Sequence, residues 1–147
     1  MKTHGPVLAA QDAEDLEVIS THLQDAVARI GDLVWLPKKR RFAALFNRFK
    51  WENGRRGNLR VRTGLHFDGV LSVKSRNLKH GAPDAVVELL AVRFTPNGAD
   101  DPAGKVELVF ADGGAMLLDV ECLDAGLADV SGEWAARGRP SHEDEEH

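Results

Sequence analysis

A single cysteine, no tyrosine and no long apolar run are the first things this 147-residue chain has to say for itself. One cysteine excludes an internal disulfide and a multi-cysteine metal cluster, and suits a reducing compartment. Cys122 has no lysine, arginine or histidine beside it to depress its thiol pKa, so it reads as small apolar filler. No apolar run approaches the roughly 20 residues that a membrane-spanning helix needs. The opening Met1-Lys2-Thr3-His4-Gly5-Pro6 has no apolar stretch of the secretory kind. The expectation is a soluble cytoplasmic protein. Also missing are a phosphate loop, a dinucleotide glycine fingerprint, a nucleophile elbow and a spaced histidine cluster. With no positive sign of catalysis, the reading leans away from an enzyme, and neither a cofactor nor a metal is expected.

What is present is an uneven distribution of charge. The formal net charge is -4, from 19 Lys and Arg against 23 Asp and Glu. Lys38 to Lys79 holds thirteen of those cations and only Glu52 and Asp68 in opposition, a local excess of +11, which leaves -15 for the rest. A field of one sign attracts the opposite sign without a shaped pocket, so this stretch is the natural place to look for a contact with something anionic. Hydrophobic content of 43% and charged content of 29% lie near ordinary globular values. A single α+β domain over 1–136 is expected, followed by a polar, acidic and disordered tail over 137–147.

Asp12 is placed to cap a helix whose first turn carries Glu14 and Asp15, and Leu16, Ile19, Leu23, Ala26 and Val27 recur at helical spacing. The pattern predicts a helix over 13–26, after a short strand at Val7 to Ala10. Beyond it the chain reads as about seven antiparallel strands, at 28–36, 41–51, 58–67, 69–76, 86–95, 105–111 and 115–121. Leu59, Val61, Thr63, Leu65, Phe67, Leu71 and Val73 alternate with Arg60, Arg62, His66, Asp68, Ser72, Lys74 and Arg76, giving one buried and one wet face. A bulge or corner is expected at Gly64 or Gly69. Asp112-Gly113-Gly114 suits a hairpin turn. Leu123, Leu127 and Val130 suggest a short closing helix. Seven antiparallel strands followed by a helix is the order of a pleckstrin-homology-like barrel; a generic α+β sheet with helices on one face is the alternative.

Glu52 to Asn58 has the chemistry of a hairpin turn between Phe42–Trp51 and Leu59–Phe67. Pairing the strands about Arg55 sets Trp51 against Leu59 and Phe49 against Val61 on the inner side. Lys50 then faces Arg60, and Arg48 faces Arg62, on the outer side, with Arg55 and Arg56 at the tip. Like charges opposite one another are destabilising, so the patch calls for nearby carboxylates, either the protein's own or a partner's. The candidate anion- or partner-binding set is therefore Arg48, Lys50, Arg55, Arg56, Arg60, Arg62 and His66. Phe42, Phe46, Phe49 and Trp51 among these cations also fit a nucleic-acid groove, but the acidic balance of the whole chain favours an acidic protein over nucleic acid or anionic lipid. Lys38-Lys39-Arg40-Arg41 after Leu36-Pro37 reads as the exposed connection of a hairpin. Two other readings stand beside this one. An enzyme or small-ligand site would use His66 with Asp68, or His22 with Asp25, which are three apart on the helix; a self-associating structural protein would show an uncovered strand edge.

The run Glu14-Asp15-Leu16-Glu17-Val18-Ile19-Ser20, with His22-Leu23-Gln24-Asp25-Ala26, Gly31-Asp32-Leu33, Leu36-Pro37-Lys38, Arg41-Phe42 and Asn47-Arg48-Phe49, resembles a family of small uncharacterised alphaproteobacterial proteins known only as a domain of unknown function. Leu89 to Phe94 and Asp119 to Leu123 are similar to its later segments. The resemblance runs from about Val7 to Pro140. It implies a bacterial cytosolic single-domain protein and brings no activity or site residues with it.

Overall fold

The computed structural model describes residues 7–52, 55–130 and 134–135, with side chains described except at 50–52, 55–59 and 134–135. The expected tail over 137–147 lies outside the described residues. After β1 (Val7–Ala10) the chain enters α1 (Ala13–Leu23), capped as its sequence predicts: the Asp12 carboxylate accepts the backbone N–H of Asp15 at 2.8 Å. The helix stops three residues short of the predicted 26. Asp25 takes a left-handed φ of 67°, its N–H bonds the Leu89 carbonyl, and Ala26 accepts from Leu89 N–H, so a strand ladder takes over the backbone.

The strands that follow are β2 (Val27–Arg29), β3 (Leu33–Leu36), β4 (Arg41–Glu52), β5 (Arg55–Asp68), β6 (Val70–Arg76), β7 (Val86–Pro96), β8 (Gly104–Phe110), β9 (Ala115–Val120), β10 (Ala125–Asp129) and β11 (Trp134–Ala135). The expected strand over 28–36 is thus two, divided by a single helical turn at Ile30–Asp32. Pro37–Lys39 is another such turn, and Lys38, Lys39 and Arg40 are exposed in the connection between paired Leu36 and Arg41. The chain corners at Gly69, where φ is 69°, a value glycine reaches without strain. That corner inverts the alternation: Val70 is buried and Leu71 is 53% exposed, opposite to the pattern extended from β5. Gly64 lies inside an unbroken β5. The β8–β9 turn falls where predicted, with Asp112 and Gly113 both at positive φ.

Every pairing among the described residues is antiparallel. The order is β1-β10-β5-β4-β2-β7-β8-β9-β6, with β3 also on β4 and β11 also on β5. The sheet ends at β1 and β6 without closing, so the fold is mostly antiparallel β with one helix, not a pleckstrin-homology-like barrel. The terminal helix expected from Leu123, Leu127 and Val130 is instead strand β10, inserted between β1 and β5. Its burial decides the matter physically: Ala125, Gly126, Leu127 and Asp129 are all buried, which is the signature of a strand covered on both sides. The core gathers Leu16, Ile19 and Leu23 of α1 with Phe42, Phe46, Leu65, Phe67, Leu89, Leu108, Phe110 and Leu118. Cys122 lies outside it and is exposed, not core filler.

Candidate functional site

The register of the long β4–β5 hairpin decides which cations meet. Arg41 pairs with Asp68, Phe42 with Phe67, Arg48 with Val61 and Phe49 with Arg60. This is one residue away from the register expected about Arg55, and a shift of one moves each side chain of one strand to the other face of its partner. Phe42, Ala44, Phe46 and Arg48 therefore point inward with Val61, Thr63, Leu65 and Phe67. Phe49, expected inside, is on the outer side, where the Arg60 guanidinium stands 4.9 Å from its ring centroid. The pair of Glu52 with Arg55 carries the strands closer to the tip than predicted, past an irregularity between Phe49 and Trp51.

Arg48 is the main correction. Its side chain is 6% exposed and holds Asp129 of β10, equally buried, through Nη2 to Oδ2 at 2.9 Å and Nη2 to Oδ1 at 3.1 Å. Nε donates to Thr63 Oγ1 at 3.1 Å, and that hydroxyl donates to Asp129 Oδ1 at 2.7 Å. The network is closed upon itself, so Arg48 leaves the outer patch. Its lone-pair and proton demands are met inside the protein, as a buried charge requires.

The remaining candidates divide in space. Arg60 and Arg62 stay on the outer face and line a groove of about 270 Å³ together with Arg29, Asp32, Leu45, Asn47, Val27, Ala28 and Val86. Arg29 Nε is 3.3 Å from Asp32. Among the described lining residues the charged side chains are three cations and one anion. Asn47 Oδ1 is buried and has no hydrogen-bond partner among the described residues. His66 lies six residues from Arg60 along β5, about 20 Å at the strand rise of ~3.3 Å per residue. It belongs to a different cluster: its Nε2 is 3.6 Å from Asp68 Oδ2, and Arg41 grips the same carboxylate at 2.7 and 3.3 Å. The hydrogen bond to Asp68 raises the Arg41 pKa further, so Asp68 already serves a permanent cation. The Lys50, Arg55 and Arg56 side chains lie outside the described set.

His22 and Asp25 do not form the pair their spacing suggested. The His22 ring places Nδ1 3.1 Å from the Val18 carbonyl, while Asp25 has left the helix. Neither Arg29 nor Asn47 stands out in the sequence as a site residue. The opposite charges of Arg41 and Asp68 were the available signal: setting them face to face fixes the register and brings Asn47 and Arg62 opposite one another. Among the described residues no cluster of three or more histidine, cysteine or acidic side chains is arranged to hold a metal, and no helix is long and apolar enough to cross a membrane.

The model of one family, described as protein of unknown function (DUF2948), matches residues 7–142. The chain belongs to that family. No curated protein and no solved structure matches it. For this DUF2948 domain the chemistry of the groove is accordingly the ground on which a function is argued.

Proposed function

We propose that this DUF2948 domain is a non-catalytic binding module whose outer-face groove holds carboxylates of an acidic partner protein. One observation carries the reading: Arg60 and Arg62, two apart on β5, share a concave surface with Arg29 of β2, so three guanidinium groups line one recess. Guanidinium groups bind carboxylates through paired N–H donors, and a recess strengthens that attraction by limiting solvent screening. An acidic protein suits the domain better than a nucleic acid or an anionic membrane, since the chain as a whole carries -4 and would repel an extended polyanion beyond the groove.

The test is anisotropy of a labelled oligoglutamate peptide titrated with the full chain, at low and at high salt. Binding is expected to weaken with salt and to fall about tenfold or more in Arg60→Glu/Arg62→Glu, because two attractions become two repulsions. Peptide binding that ignores both the salt and the substitutions would sink the proposal. Stronger salt-sensitive retention of RNA or of phosphatidylserine vesicles than of the peptide would replace the acidic protein by that partner.

A further inference from the structure

The basic groove does not end at its arginines. Val27 and Val86 are shared with a second, larger cleft of about 500 Å³, lined by Ile30, Leu78, Ala85 and Val87, with Asn77, Lys79, Glu88, Ala111 and Asp112 around them. The two recesses therefore adjoin, with Val27 and Val86 as their common wall. Val86 is 63% exposed there, an apolar side chain that the protein itself leaves largely uncovered, and it stands opposite Arg29 in the β2–β7 register. The cleft has the size of pockets that take small ligands or single anchoring side chains. Its aliphatic wall and its charged side chains, one lysine against two acids, make it a poor host for a second carboxylate.

We infer that the two recesses form one site for an extended peptide segment in which carboxylates are followed or preceded by an aliphatic residue, the carboxylates lying by Arg29, Arg60 and Arg62 and the aliphatic side chain in the cleft beside Val86. The inference rests on the acidic-partner reading and gives the partner a sequence pattern. Charge complementarity selects the acidic part. The apolar wall selects the aliphatic part, since each methylene removed from water favours association. An extended peptide is the occupant that presents both kinds of group along one backbone, at the spacing of the two recesses.

The experiment compares two labelled peptides binding to the full chain: glutamates flanking one leucine, and the same peptide with serine replacing leucine. The leucine peptide is expected to bind about tenfold more tightly. Val86→Ser, at a position 63% exposed, removes most of that advantage, so the ratio between the two peptides falls toward one. Arg60→Glu/Arg62→Glu weakens both. If the two peptides bind equally and the arginine variant weakens both, the acidic-partner reading stands and the two-part site is overturned. If neither peptide binds, the acidic-partner reading fails and takes the inference with it. A leucine advantage untouched by Val86→Ser places the aliphatic contact elsewhere and also overturns the inference.

Discussion

Arg48 shows how far the fate of one side chain depends on which partner it finds. Its guanidinium and the Asp129 carboxylate are both almost fully removed from water, and each is tolerated there because of the other. Arg48→Ala would leave Asp129 an uncompensated buried charge, so urea unfolding should show a loss of about 3–5 kcal/mol. Replacing both, as Arg48→Met/Asp129→Leu, should recover much of that loss; a single variant as stable as the parent would show that the pair is not closed in solution. Asp119 is the second residue with a sharp expectation. Ser72 Oγ donates to its Oδ2 at 2.8 Å, and Lys105 Nζ lies 3.2 Å from Oδ1; the serine hydrogen bond, then the lysine, hold its carboxyl below the usual carboxylate range. A depressed folded-state pKa stabilises the fold above the unfolded value of about 3.9 and ceases to do so as pH falls through the folded value. Ser72→Ala should raise the Asp119 titration midpoint seen by carboxyl NMR. Its stability deficit relative to the parent should be present at neutral pH and shrink in strong acid. A deficit constant with pH would assign the effect of Ser72 to packing instead.

At the scale of elements, β10 is the most instructive. Leu127 and the flanking Leu123 and Val130, spaced four and three apart, suit a helix in isolation, and the strand state of β10 depends on two neighbours more than 50 residues away along the chain, β5 and β1. No local pattern reports such neighbours. Gly126 is the local hint, because it weakens a helix by about 1 kcal/mol and because any Cβ there would collide with the His66 ring on β5. Most strands of the middle of the chain, by contrast, were readable, since a half-buried antiparallel strand writes its two faces into alternate residues. What alternation cannot write is register. From Arg60 to Asp68 the inner and outer residues of β5 follow the alternation, yet pairing them with β4 one residue out exchanged Arg48 and Phe49, and the candidate site changed with them. The dependence of β10 on β1 leads to a prediction. Deleting residues 1–10 removes the strand that caps Ala125 to Ala128 and leaves an apolar strand edge open, a template for pairing with another chain. Light scattering should then report association absent from the full chain; a truncated protein that stays monomeric would show that this edge is protected by other means.

For the molecule as a whole, the charge block that dominates the sequence is partly an artefact of chain order. Arg40 pairs with Glu121, Arg41 with Asp68, Arg48 with Asp129 and Arg76 with Glu107. Three of these four acids come from the second half of the chain, carried back onto the early cations by the antiparallel sheet. A block of one sign in sequence thus dissolves into mixed charge in space, and among the described residues Arg29, Arg60 and Arg62 share one groove with Asp32.

The same groove lies over the narrowest join in the sheet. β2 meets β7 at three register pairs but meets β4 at one, Val27 with Asn47. Arg29 and Val86 stand on one bank of that seam, and Asn47, Arg60 and Arg62 on the other. A chain bound across it would act as a suture, adding contacts where the backbone ladder supplies fewest, so that occupancy would stiffen the union of the two halves of the sheet as well as hold the partner.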